Sequence, residues 1–174
     1  NGVHKLSDSG DNTNFEKTIQ NSKSNIEKSN DSGMIKAKDS NNNETVVDDV
    51  HKIGKINIDI YKCVTEDITT DEVIITEKQI QHIKERHPND YEMYFNYAKE
   101  IVENPDYVLQ ANKPYTAFIL KHIVENGKNY QIILRLKTSD DPNEYKNSII
   151  TFLKVSDKRY NRYLRTKKIL YKAE

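Results

Sequence analysis

Tyr130-Gln131-Ile132-Ile133-Leu134-Arg135-Leu136-Lys137 is the stretch that decides how the rest of the chain is read. In an extended chain Tyr130, Ile132, Leu134 and Leu136 fall on one side, and Gln131, Ile133, Arg135 and Lys137 on the other. A period of two marks a strand, with Arg135 mid-strand on its more polar face. Residues 115–124 form a second run, joined to the first by Glu125-Asn126-Gly127-Lys128. Asn-Gly supplies the two positive φ angles of a tight turn, so an antiparallel pair is expected here. His122 alternates with Leu120 and Val124 and reads as structural.

Downstream, Thr138-Ser139-Asp140-Asp141-Pro142 is a loop, and residues 147–155 are almost wholly apolar, as a central strand should be. Ser148 and Thr151 are its polar exceptions: each is either a satisfied core hydroxyl or a group held toward a ligand. A short basic helix over 157–165 and a last strand over 168–172 follow. Upstream, Tyr107-Val108-Leu109 is a short strand, preceded by a helix that Asn104-Pro105 stops and that starts at Asn89 or Asp90. Tyr94, Tyr97, Ala98, Ile101 and Val102 form its apolar stripe, so its aromatics are read as core rather than as a base-stacking platform. Thr76 caps an earlier helix, with Gln79 completing a capping box and Pro88 ending it. Glu72-Val73-Ile74-Ile75 reads as a strand, and so does the alternation of Ile56, Ile58 and Ile60. The class is therefore α+β: helices first, then a mostly antiparallel sheet.

That domain spans 53–174. Residues 1–52 are rich in Asn, Ser, Asp and Lys, include Asn41-Asn42-Asn43, and hold no sustained hydrophobic period. They read as a disordered tether, with Phe15, Ile19 and Ile26 able to make a weak amphipathic turn on a partner. A first residue of Asn1 rather than Met points to a fragment, the C-terminal part of a larger protein. Overall charge is balanced at 27 basic and 27 acidic residues, but unevenly placed. Residues 1–50 hold six Lys against nine acids, whereas residues 154–172 hold eight basic side chains against Asp157 alone. The second segment is either a solvated basic face or the place where a polyanion is met. Cys63 is the only cysteine, which excludes an intrachain disulfide and a Cys-based zinc site, and it reads as a core filler. No apolar run reaches the length of a membrane-spanning helix.

The chemistry gathers in Gln81-His82-Ile83-Lys84-Glu85-Arg86-His87-Pro88. Residues four apart share a helix face, so His82 and Arg86 lie one above the other, with His87 turned about 100° away. An imidazole moves protons near neutral pH and a guanidinium grips a phosphate bidentately, the pair that metal-free phosphodiester cleavage needs. Alternatively, two histidines at a helix C-terminus are a dipole partner and a half-buried filler. No HExxH is present, and His82 and His87 are poorly spaced as two ligands on one face, so no metal is expected.

The order His82-xxx-Arg86-His87-Pro88, Asn104-Pro105-Asp106-Tyr107-Val108, a strand pair, Lys146-Asn147-Ser148-Ile149-Ile150-Thr151 and Arg165-xxx-Lys168-Ile169-Leu170-Tyr171 resembles the phage-associated barnase–EndoU–colicin–RelE-like nucleases over about residues 53–174. The resemblance implies one or two N-terminal helices on a four- or five-stranded antiparallel sheet. It also implies metal-independent, cofactor-free RNA cleavage, often of tRNA, in phage head-morphogenesis proteins and polymorphic toxins. Such a domain would act in the bacterial cytoplasm after delivery, or stay with the virion. The family's polar positions fall on His82, Arg86, His87, Ser148 and Thr151. His82 then becomes general base or acid, His87 the second proton-transfer group and Arg86 the phosphate clamp. Arg135 and Lys154 add positive charge and Thr151 bonds a phosphate oxygen. Lys158, Arg159, Arg162, Arg165, Lys167 and Lys168 are expected to hold flanking RNA, with Tyr163 or Tyr171 stacking on an unpaired base. If the chain is a toxin, an acidic immunity protein should cover the basic segment. The rival readings are a non-catalytic nucleic-acid-binding or capsid-associated module, and a metal-dependent nuclease.

Overall fold

The computed structural model describes residues 49–89 and 91–174. Its elements run β1 (Val50–Lys55), α1 (Ile58–Tyr61), β2 (Glu72–Thr76), α2 (Glu77–Arg86), α3 (Tyr91–Glu103), β3 (Tyr107–Gln110), β4 (Thr116–Ile123), β5 (Lys128–Arg135), β6 (Asn147–Val155), α4 (Asp157–Thr166) and β7 (Ile169–Lys172). They build one seven-stranded sheet in the order β1-β2-β6-β5-β4-β3-β7. Every neighbouring pair is antiparallel except β2 with β6, which is parallel. The α+β class is as read, but the sheet has seven strands rather than four or five, and a helix lies on each of its faces.

The side chains explain this arrangement. Thr76 leaves β2 and caps α2 by accepting a hydrogen bond from the Gln79 amide at 3.2 Å, a contact worth about 1 kcal/mol. Ile80 and Ile83 of α2 and Tyr94, Ala98, Ile101 and Val102 of α3 then join one core with Val73, Ile75, Ile119, Tyr130, Ile132, Leu134, Ile149 and Phe152. Tyr94 packs on both Tyr130 and Phe152, with ring centroids 5.7 Å away in each case. Because Leu134 pairs with Ile149, Ile132 with Phe152 and Tyr130 with Lys154, these residues share the face that α2 and α3 cover. Gly54 lets α3 approach β1: a Cβ there would lie 2.5 Å from Glu103 Oε2, which accepts the Lys55 amide at 2.9 Å. That amide, after the Lys99 ammonium, helps hold the Glu103 carboxyl below its usual range.

The opposite face carries Arg135 paired with Ser148, Ile133 with Thr151, and Phe118 with Ile133. Here α4 lies across it, with Tyr163 against Phe118 at 4.9 Å and Tyr160 against Tyr107 at 6.4 Å. Burial, then Asp106 and Tyr107, push the Tyr160 phenol well above its ordinary value.

Three local expectations are corrected. Ile56–Ile60 is not a strand: Asn57 accepts the Asp59 amide at 3.0 Å and starts the single turn of α1, while β1 lies earlier and already includes residues 50–52. The β4–β5 turn has one positive φ, at Gly127, not two; the Gly127 amide reaches back to Ile123 O at 2.8 Å in a wider, helix-like bend. Arg135 ends β5 rather than lying mid-strand. The tether expected over residues 1–52 lies, before Asp49, outside the described residues, and so does Asp90, one of the two proposed starts of α3.

Candidate active site

The last turn and a half of α2 is built as its sequence demands. Ile80 and Ile83 are buried, which turns His82, Glu85 and Arg86 to solvent. Neither His82 nor Arg86 makes a hydrogen bond or ion pair with any described residue. His87 is the C-cap: its amide donates to Ile83 O at 2.8 Å, and its backbone (φ −135°, ψ 62°) has left the helix. That exit swings the half-buried imidazole onto Tyr94, with centroids 4.7 Å apart and Nδ1 3.4 Å from the phenol oxygen. Lys84 lies over the Tyr91 ring at 4.8 Å. Lys154 is exposed on this same sheet face, paired across to Tyr130 and two residues beyond Phe152.

Arg135, Ser148 and Thr151 are elsewhere, on the α4 side of the sheet. The expectation of one phosphate surrounded by all seven candidate residues is therefore corrected: the sheet separates His82, Arg86, His87 and Lys154 from the other three. Arg135 is also engaged, by a residue of the loop that follows β5. Its guanidinium grips Asp141 through two 3.1 Å hydrogen bonds and also reaches Leu136 O. The same carboxylate accepts the Thr138 amide at 2.8 Å, so this ion pair closes the β5–β6 loop. Ser148 and Thr151 are half-buried, and their hydroxyls have no partner among the described residues. Both face the same way only because β6 bulges beside Ile133 and Leu134; plain alternation would set residues three apart on opposite faces. In the same row Gln131 is buried with its Oε1 unpartnered.

The basic C-terminal segment divides by environment. The side chains of Lys158, Arg165 and Lys168 are exposed with no described partner. Arg159 donates to Tyr163 Oη at 2.9 Å, Arg162 lies over the same ring at 5.7 Å, and Lys167 lies over Phe118 at 4.6 Å. Tyr163 is only 3% exposed beneath these cations, which corrects its assignment as a stacking residue. Tyr171 packs half-buried against the core from β7. His122 fits its structural reading: its Nδ1 is 2.7 Å from Asn129 Oδ1, and Asn129 donates to Asp157 at 2.6 Å, tying the β4–β5 hairpin to α4. Cys63 packs against the core, and burial raises its thiol pKa. Among the described residues no group of His, Cys, Asp and Glu is placed to hold a metal ion. No helix among them is long and apolar enough to cross a membrane.

Two imidazoles and an unpaired guanidinium on one side of a sheet, with a cationic helix on the other, suit a protein that handles a charged polymer. A family model described as phage-Barnase-EndoU-ColicinE5/D-RelE like nuclease 2 matches residues 48–172, and the chain belongs to that family. It is thus a phage-associated type of nuclease, with nucleic acid as its substrate. No curated protein and no solved structure matches the chain.

Proposed function

We propose that the domain is an endoribonuclease that needs no metal and cuts a structured RNA such as tRNA at the C-terminal end of α2. The observation that carries this is the placement of His82, Arg86 and His87 within the last turn and a half of α2 and its C-cap, with His82 and Arg86 free of partners among the described residues. RNA supplies its own nucleophile. One imidazole takes the 2′-hydroxyl proton as that oxygen attacks the adjacent phosphorus, and Arg86 holds a non-bridging oxygen as charge develops. The bond to the 5′-oxygen breaks, and the second imidazole gives that leaving oxygen a proton. The products are a 2′,3′-cyclic phosphate and a 5′-hydroxyl, with atoms and charge balanced. Lys154, on the same face, adds positive charge near the reacting group. The Tyr94 phenol, 3.4 Å from His87 Nδ1, orients that ring.

Lys158, Arg165 and Lys168 hold flanking phosphates on the α4 side, and the same unpaired cations suit an acidic immunity protein as a competing partner. The test is incubation with total RNA in excess EDTA, followed by sequencing of the new ends. The expected result is undiminished cleavage with 2′,3′-cyclic phosphate termini. Cleavage that stops in EDTA and returns with a divalent ion, or ends bearing 5′-phosphate, would contradict the proposal.

A further inference from the structure

Tyr115 is the one exposed Tyr or Phe side chain among the described residues, at 39%. It is also the one non-glycine residue among them with a positive φ, at 57°, a conformation that a bulky residue rarely adopts. The chain holds it there firmly: Tyr115 O accepts the Leu136 amide at 2.8 Å, and the following hydroxyl, Thr116 Oγ1, donates back to Pro114 O at 2.9 Å. The ring carries the Arg135 guanidinium 5.6 Å from its centroid, itself fixed by Asp141. Packing alone gives little reason to hold an aromatic ring in solvent on a strained backbone. A flat, pre-oriented surface for a flat ligand is such a reason.

Two polar side chains at adjoining register positions have no partner among the described residues. Lys137 follows the residue that binds Tyr115 O; it is only 7% exposed, and its ammonium makes no ion pair or hydrogen bond with any described residue and stays open to solvent. An almost buried ammonium without a carboxylate is unusual, and an anion from outside would complete it. Ser148, the cross-strand partner of Arg135, offers its free hydroxyl on the same sheet face.

We propose that Tyr115, Arg135, Lys137 and Ser148 form a single-nucleotide subsite on the sheet face opposite the α2 chemistry. An unpaired RNA base stacks on Tyr115, with Arg135 steadying the ring, and its phosphate takes the Lys137 ammonium and the Ser148 hydroxyl. This rests on the ribonuclease reading above and adds to it a contact that fixes where a single-stranded segment lies.

The test uses the whole chain and short fluorescent 2′-O-methyl oligoribonucleotides, which cannot be cut through the 2′-oxygen, including a series with each base in turn removed. Tyr115→Gly suits the positive φ and should fold like the wild type, which a thermal melt checks. It should bind the intact oligomer about tenfold or more weakly, whereas Tyr115→Trp should bind like the wild type. One abasic position should weaken wild-type binding by a similar factor and leave Tyr115→Gly unaffected. Lys137→Gln should lower the slope of log affinity against log salt by about one. A Tyr115→Gly protein that cuts total RNA and binds the oligomer within about twofold of wild type would overturn the subsite and leave the ribonuclease reading standing. A wild-type protein that neither binds nor cuts RNA would overturn both.

Discussion

His82→Ala is expected to lower the rate of RNA cleavage by about 10²–10⁴-fold while leaving thermal stability unchanged. The two halves of that statement have separate causes. The imidazole is exposed on α2 and bonds to no described residue, so its loss removes no packing and leaves no buried group unsatisfied among them. The reaction, in contrast, loses a proton carrier at the 2′-hydroxyl or at the leaving oxygen. A gel assay on purified tRNA, read beside a melting curve, separates these effects. Cleavage at the wild-type rate by the variant would remove His82 from the mechanism. The same substitution at Arg86 should fall in the same class, because its guanidinium is also free and its proposed role is to hold the phosphate.

Asn147→Ala is expected to cost about 3 kcal/mol or more of folding stability, the largest effect of any single polar residue in the domain. Asn147 is fully buried at the start of β6. Its Oδ1 accepts the Lys137 amide at 2.8 Å, and its Nδ2 donates to Thr70 O at 2.8 Å and Glu72 O at 2.9 Å. Those three contacts join β6, the chain leaving β5 and the entry to β2 where the parallel β2–β6 ladder pairs only Val73 with Asn147 and Ile74 with Ser148. Alanine leaves all three backbone groups unpaired, each at about 1–3 kcal/mol. Chemical denaturation checks this. A loss below about 1 kcal/mol would show that the parallel junction does not depend on the amide.

The strand alternation of residues 130–137 was legible because each position reports directly on which side of a strand it occupies, and it set Arg135 on the correct face. The capping pair Thr76 and Gln79 and the stop at Pro88 were local signals too, and α2 runs between them. What the sequence could not show is how separate elements meet. Ser148 and Thr151 share a face through a bulge that no local pattern announces. The side on which α4 crosses is fixed by Tyr163 finding Phe118, a contact made across 45 residues of chain. Once α4 takes that side and α2 the other, one phosphate cannot touch both groups of candidate residues. Ile56, Ile58 and Ile60 misled because three alternating apolar residues suit a strand as well as a single helical turn, and the Asn57 side chain decided between them. Tyr115 gave no warning in the sequence beyond the Pro114 before it, since its left-handed backbone is imposed by the Leu136 hydrogen bond.

The most direct test of where the chemistry occurs is the single-turnover cleavage rate, at saturating protein, of variants on the two sides of the sheet. With catalysis at the end of α2, His82→Ala, Arg86→Ala and His87→Gln should each fall by about a hundredfold or more. Ser148→Ala and Thr151→Ala should stay within about threefold of wild type once RNA is bound, because both lie on the sheet face away from the α2 chemistry. The opposite pattern, with Ser148→Ala or Thr151→Ala abolishing the chemical step and the three α2 variants retaining it, would place the reaction on the α4 face and contradict the account.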